Sequence, residues 1–273
     1  MPAGVFPTPP AALSDPQTVV ITGAAGNLGA KLRRHLEGRC RLRLLDRDPR
    51  GDPAVAAADL ARWDKGWLDQ FAGADAVVHL AADPTAQQTW PNLIGPNVDA
   101  VVHVFQAAAA AGVKRVVYAS SNHVMGGYKD VPEPFLLTTE LPPRPGSRYA
   151  VHGEARDSTP YGSAKLFGER LGRCFADAHG LTVLAVRIGW VLPGDNRPQD
   201  IPPEREDWFR LMWLSNRDYC QLMERCLWAE PVPRFAVLNG MSANAGMRWD
   251  VEATRRLVGY DPQDDVTRGE PAA

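Results

Sequence analysis

Cysteine is scarce in this 273-residue chain, and the four that occur do not cluster. Cys40, Cys174, Cys220 and Cys226 form no CxxC pair and no CxxC…HxxxH array. That spacing argues against a zinc site or a disulfide framework, and scattered unpaired thiols suit a reducing cytoplasm. Long apolar runs are missing too: no stretch reaches the ~18 consecutive apolar residues that a membrane-spanning helix requires. Neither sign of charge is in excess. Thirty basic against 32 acidic residues leave a net charge of −2, so no general attraction to nucleic acid or an anionic membrane is expected. The first sixteen residues, "MPAGVFPTPPAALSDP", have no basic n-region and no continuous apolar core. They read as a disordered lead-in rather than a signal peptide.

What is present is an ordinary globular composition, 45% hydrophobic and 23% charged, in a chain long enough to bury a large core. From Gln17 onward, short β-branched runs alternate with longer helical patterns. "TVVIT" (18–22), "RLRLLD" (41–46), "DAVVHLAA" (75–82), "KRVVYASS" (114–121) and "LTVLAVRIG" (181–189) read as strands. Several are apolar almost throughout, as strands covered on both faces should be. Helices are expected at about 27–38, 63–72, 97–111 and 160–179, then 218–229, a strand near "RFAVLNG", and a last helix near 250–258. Residues 127–160, with six prolines, read as one long loop. The pattern predicts an α/β protein: a Rossmann-like doubly wound parallel sheet with a small C-terminal substrate-binding lobe. Residues 17–192 would form the dinucleotide-binding part with the catalytic residues. Residues 193–262 would form the lobe, returning some strands to the sheet, and 263–273 a tail.

The first strand runs into "TGAAGNLGAKL", with Gly23, Gly26 and Gly29 ahead of a helix. Glycines there let the backbone approach a pyrophosphate, whose charge sits against the helix N-terminus. The order strand, turn, helix is the one that dinucleotide binding requires. Asp46 ends the second strand, 23 residues after Gly23. A carboxylate there accepts hydrogen bonds from ribose hydroxyls and repels a 2′-phosphate, which favours NAD; Arg47 beside it could tolerate NADP. Asp59 and Leu60, after a presumed third strand, are placed near the adenine. Asn27 and Leu28 in the turn, and Leu80, Ala81 and Ala82 at the end of strand 75–82, complete the expected cofactor contacts together with Tyr161 and Lys165. No metal site is expected.

"YGSAKLFGE" puts Tyr161 and Lys165 four apart at the start of a helix, on one face. A free tyrosine, with a pKa of about 10, is a poor base at neutral pH. An ammonium one turn away and the positive ring of an oxidised nicotinamide would favour the phenolate, so that Tyr161 can take a hydroxyl proton. The strand 114–121 ends in "SSNH". In a parallel sheet ligands bind outside the carboxyl ends of the strands, so Ser121 is placed to hold a substrate oxygen. Asn122 and His123 would line the same cavity.

Glycine turn, strand-end Ser121 and Tyr-x-x-x-Lys together resemble the extended short-chain dehydrogenase/reductase superfamily, over about residues 17–262. "SSNHVMGGY", "YGSAKLFGE", "VRIG" and "SANAGMRWD" resemble the NAD-dependent uronate dehydrogenases. "HLAADP", "RIGWVL" and "MWLSNRD" resemble a neighbouring branch with haloarchaeal NAD-dependent glucose-6-phosphate dehydrogenases. The resemblance implies oxidation of a cyclic sugar (a hexuronate, aldose or sugar phosphate) at its anomeric carbon, giving a lactone and NADH. Tyr161 would be the base, Lys165 its electrostatic partner and ribose anchor, and Ser121 the hydroxyl orienter. Asn122 and His123 would bind sugar hydroxyls; a buried histidine satisfied by backbone is the alternative for His123. Many relatives dimerise through the helices equivalent to 97–111 and 160–179, so a homodimer or higher homo-oligomer is conceivable.

The pattern also departs from the uronate enzymes. Their carboxylate-binding arginine has Arg210 as its nearest counterpart, at shorter spacing, before "LMWLS". Serines expected after "RIG" and after strand 75–82 fall at Trp190 and Pro84, and the insert 193–207 has no counterpart there. A nucleotide-sugar epimerase or dehydratase would use the same Ser/Tyr/Lys set but needs a larger C-terminal lobe. A catalytically silent dinucleotide-binding regulator would have no need of all three residues.

Overall fold

A computed structural model of the chain describes residues 17–132, 136–151, 153–203 and 205–268. The expected lead-in, 1–16, and the last five residues of the expected tail lie outside them. Seven parallel strands form one sheet: β1 (Thr18–Thr22), β2 (Arg41–Asp46), β3 (Val55–Ala57), β4 (Ala76–His79), β5 (Arg115–Ser121), β8 (Thr182–Ile188) and β9 (Phe235–Gly240), in the order β3-β2-β1-β4-β5-β8-β9. β6 (Arg148–Val151) and β7 (Glu154–Asp157) pair antiparallel as a separate hairpin. The sheet order reverses between β1 and β4, and that crevice is where a doubly wound sheet opens a ligand site.

Helices cover both faces: α1 (Asn27–Leu36), α2 (Lys65–Leu68), α3 (Trp90–Leu93), α4 (Ala100–Ala110), α5 (Thr159–His179), α6 (Asp207–Arg210), α7 (Asn216–Trp228) and α8 (Glu252–Val258). The β-branched runs are buried for a simple reason: covered above and below, Val19, Ile21, Val78, Val117, Leu184 and Val186 lose all exposure on one face. Val20, Val77, Val116, Val183 and Ala185 do so on the other. Each such aliphatic side chain is worth about 1.5–3 kcal/mol of burial.

On the first face the core continues through Leu214, Tyr219, Leu222, Met223, Leu238, Val258 and Tyr260, so much of 193–262 packs on the parallel sheet itself. A smaller core sits beyond the carboxyl ends of the strands. It joins Val124, Met125, Tyr128 and Leu137 to Phe209 and Met212 and to Met241, Trp249 and Val251.

Several expected elements differ. The helix at 63–72 is α2 followed by a 3-10 turn, Asp69–Phe71. The helix at 97–111 begins earlier: α3 leads through a π-turn, Ile94–Asp99, into α4. Pro91 and Pro96 hid it, although a proline in a first turn costs no hydrogen bond and the π-turn accommodates the second. The supposed loop 127–160 contains the β6–β7 hairpin. With β3 counted, the strand ending at Ser121 is the fifth in chain order. Ala107 and Ala108 of the alanine-rich helix lie in the protein's own core. Among the described residues no helix is long and apolar enough to cross a membrane.

Candidate active site

One cleft of about 1310 Å³ runs from the glycine turn to the carboxyl end of β5, and its walls draw on residues from Gly23 to Asn216. At the cofactor end, Gly23 has φ +72°, a conformation costly for any other residue, and a Cβ on it would meet Ala81 N at 2.7 Å. A Cβ on Gly29 would lie 2.1 Å from the Gly23 carbonyl oxygen. This turn therefore presses backbone on backbone, and it opens α1, whose first turn carries no acidic residue to compete with an anion. The backbone N–H of Ala25 donates to Asp46 Oδ2 at 2.9 Å, which orients the carboxylate at the tip of β2. Asn27, Leu28, Asp59, Leu60, Leu80, Ala81 and Ala82 all line the same cleft. The residues present thus fit a dinucleotide: an unobstructed helix N-terminus for pyrophosphate and an oriented carboxylate for ribose.

At the other end, β5 and α5 bring the polar groups together. Ser121 closes β5 and caps the following 3-10 turn, its Oγ accepting from His123 N at 3.2 Å. α5 starts at Thr159, whose N–H donates to Asp157 Oδ1 at 2.8 Å, with Pro160 in its first turn. Its 3.6-residue period then turns Tyr161, Lys165 and Glu169 toward the sheet, all buried. The Tyr161 phenol faces the Ser121 side chain, whose hydrogen-bonding group favours the phenolate. Lys165 Nζ donates to the Ala119 carbonyl at 2.9 Å and lies 5.8 Å from the Tyr161 ring centre. Ser121, Tyr161 and Lys165, expected as a unit from the sequence, share one pocket.

The electrostatics add a correction. Burial pushes the Tyr161 phenol up to about 12; the Ser121 side chain offsets part of that, and the Asp83 carboxylate adds to it. Burial likewise brings the Lys165 ammonium down to about 8. In the cofactor-free chain the phenol is therefore harder to ionise than a free tyrosine, the reverse of what a neighbouring ammonium alone would do.

Asn122 and His123 line the cleft but are partly committed. Asn122 Nδ2 donates to the Ile188 carbonyl at 3.0 Å, tying β5 to β8. His123 Nδ1 pairs with Ser158 Oγ at 2.8 Å, its ring stands edge-on to Tyr161 at 5.5 Å, and burial lowers it to about 4, so it is neutral.

Arg210 does not join them. It is absent from the cleft wall; its Nε lies 3.8 Å from Asp207 Oδ1 on α6, and its side chain is half-buried there. At 3.6 residues per turn, position 210 is rotated about 100° from the side on which Phe209 enters the cleft. The wall instead includes Gln87, Tyr149, Arg205 and Phe209, with Pro84 and Trp190 at the two departures noted above. Tyr149 could not have been found from the sequence, since it depends on a hairpin read as loop. Behind the wall, buried Arg187 on β8 pairs twice with Glu169 (2.8 and 2.9 Å), which also accepts from Ser120 Oγ at 2.6 Å. Among the described residues no group of three His, Cys, Asp or Glu is placed to hold a metal ion.

Comparisons with known proteins agree with this layout. Residues 19–200 match the model of the NAD dependent epimerase/dehydratase family. The chain is 33% identical to an NAD-dependent glucose-6-phosphate dehydrogenase of Haloferax volcanii, over 93% of this chain and 98% of that protein. It is also 33% identical to a uronate dehydrogenase of Pseudomonas putida, over 90% and 84% of the two chains. A solved variant of the uronate dehydrogenase from Agrobacterium tumefaciens, complexed with NAD, superposes with a TM-score of 0.74 at 30% identity, covering 92% of this chain and 86% of that one.

Proposed function

This chain belongs to the NAD dependent epimerase/dehydratase family, and from that premise we propose that it is an NAD-dependent sugar dehydrogenase, oxidising a cyclic sugar at its anomeric carbon to the lactone. The observation that carries this reading is the convergence of Ser121, Tyr161 and Lys165 in the cleft that begins at the glycine turn. One relative is by name an NAD-dependent glucose-6-phosphate dehydrogenase and another a uronate dehydrogenase.

In this mechanism the Ser121 hydroxyl holds the anomeric oxygen, and Tyr161 as phenolate takes its proton. Lys165 supplies positive charge beside that phenolate, held in place by the Ala119 carbonyl. NAD, when bound, would supply the hydride acceptor and a further positive charge. Gly23, Gly26 and Gly29 would admit its pyrophosphate, and Asp46 would receive the ribose hydroxyls. Burial of the site excludes water and keeps these few charges strong.

Four free thiols, two of them buried, suit a reducing compartment such as the cytoplasm. Pairing of two copies through α4 and α5, near the exposed Trp90, Ile94 and Phe167, also belongs to this reading and is checked by sedimentation.

The test is NADH accumulation from NAD with glucuronate, galacturonate, glucose 6-phosphate and neutral aldoses. Sustained accumulation with one of them supports the reading. An epimerase returns its hydride and a silent regulator transfers none, so an absence of NADH with every sugar overturns it.

A further inference from the structure

Six cationic side chains of the described residues line the cleft; two are bonded within the protein and three stand at its dinucleotide end. Lys31, on α1, donates to the Leu192 carbonyl at 3.1 Å. Arg34, on the same helix, and Arg47 and Arg50, just after β2, stand at the dinucleotide end. Lys165 is bonded to Ala119. Arg205 is the sixth, and among the described residues no carboxylate or carbonyl accepts from its guanidinium.

Its position is nonetheless defined. The guanidinium carbon lies 5.2 Å from the Trp190 ring centre and 5.5 Å from that of Phe209. Trp190 is two residues beyond Ile188, the register partner of Ser121, so the ring stands at the same end of the sheet as the catalytic serine. Its backbone is fixed there by Trp190 N donating to the Met212 carbonyl at 2.8 Å. The Phe209 ring packs on Tyr149 at 4.8 Å, and Tyr149 is hydrogen-bonded to Gln87. On the chain side, Arg205 N donates to the Pro202 carbonyl at 3.0 Å, and its neighbour Glu206 is anchored to Lys129 Nζ at 2.7 Å. A lone guanidinium is thus held against two aromatic rings, at the sugar end of the pocket, with its hydrogen-bonding capacity unspent.

Among the described residues at that end, the other candidates are committed or absent: Lys165 is bonded to Ala119 beside the phenol, His123 is neutral with one nitrogen on Ser158, and Arg210 does not line the cleft. Aromatic walls attract the ion electrostatically and keep water off it, which strengthens whatever anion it meets. A fork of N–H donors matches carboxylate and phosphate oxygens two at a time.

We propose that Arg205, seated on Trp190 and Phe209, binds an anionic substituent of the sugar, a carboxylate or a phosphate monoester carried away from the anomeric carbon. This rests on the dehydrogenase reading and narrows its substrate class. It also explains the departure at position 190: where a small hydroxyl residue is expected, a large ring serves as the shelf for an arginine delivered by the 193–207 insert.

The experiment compares kcat/KM for acidic and neutral sugars, each with NAD, in the wild type, Arg205→Ala and Arg210→Ala. Hexuronates and glucose 6-phosphate form separate arms, so the preferred arm identifies the anion as carboxylate or phosphate. Wild type should prefer one acidic arm over its neutral aldose. Arg205→Ala should lower that preference by about 10- to 100-fold, the usual worth of a charged hydrogen-bonded pair, mainly through KM. Arg210→Ala should retain it. Equal losses on acidic and neutral sugars, or a wild type that prefers neutral aldoses, would overturn the inference while leaving the dehydrogenase reading intact. Should no sugar be oxidised, that reading fails separately. Calorimetric titration of glucuronate and glucose 6-phosphate into the NADH-bound protein then decides: weaker binding in Arg205→Ala upholds the anion site, and equal binding refutes it.

Discussion

Lys165 Nζ donates to the main-chain carbonyl of Ala119 at 2.9 Å, so the ammonium is held by the strand that ends in Ser121 as well as by its own helix. It stands 5.8 Å from the Tyr161 ring, near enough to act on the phenol through space. The same bond fastens α5 to β5 and so sets the spacing between serine and tyrosine.

Two variants separate these roles. Tyr161→Phe should lower kcat by about a thousandfold, the range for loss of a positioned base, with NAD affinity measured by fluorescence little changed. Lys165→Ala removes the charge that favours the phenolate, so the surviving activity should rise only at more alkaline pH than in wild type. A pH profile of kcat/KM reads this directly. An unshifted profile would reduce Lys165 to a tie between helix and strand.

Asp46 should set cofactor preference. Its carboxylate is oriented by the Ala25 N–H, at the place where a 2′-phosphate would meet its charge, with Arg47 adjacent. Asp46→Ser should lower kcat/KM with NAD by about tenfold, as expected for one charge-assisted hydrogen bond, and raise it with NADP. The ratio of the two is the measurement, and a ratio that stays put would remove Asp46 from the ribose site.

Acid should destabilise the fold through two histidines. Burial, with the Lys165 charge adding, lowers His79 to about 3, and burial lowers His123 to about 4. Both folded values lie below the unfolded one of about 6.5, so between them the unfolded chain binds more protons than the folded chain. Stability is therefore greatest above about pH 6.5 and falls as pH drops from there toward 4. Thermal melting at pH 7 and pH 5 should show the loss, and His123→Asn should make it shallower. A midpoint independent of pH over this window would show that neither ring stays neutral.

Arg187 and Glu169 are both almost wholly buried, and each depends on the other for compensation. Arg187→Ala leaves a buried carboxylate with only Ser120 as partner, and should cost about 3–5 kcal/mol of stability, read by denaturant unfolding. Loss below about 1 kcal/mol would mean that water replaces the guanidinium.

Much of this protein was legible in its one-dimensional order. The strand runs at 18–22 and 181–189 are near-continuous apolar segments, and such segments have few places to go except the middle of a covered parallel sheet. The glycine turn and the Tyr161–Lys165 spacing are local, set by a few successive dihedrals, and the structure adds only their neighbours. The hairpin at 148–157 was hidden because its short strands carry several charges and only Tyr149 packs against a core, so no alternation marks them. The long helical run from Trp90 was hidden by prolines whose cost vanishes in a first turn and a π-turn.

By itself, then, the order of residues determined the sheet, the dinucleotide turn and the serine–tyrosine–lysine set, because each follows from periodicity and short-range geometry. Only the tertiary structure decided which arginine lines the cleft, Arg205 rather than Arg210. Two arginines five positions apart cannot be assigned a direction until Trp190, brought in from the end of β8, joins Phe209 in supplying the surface against which one of them rests.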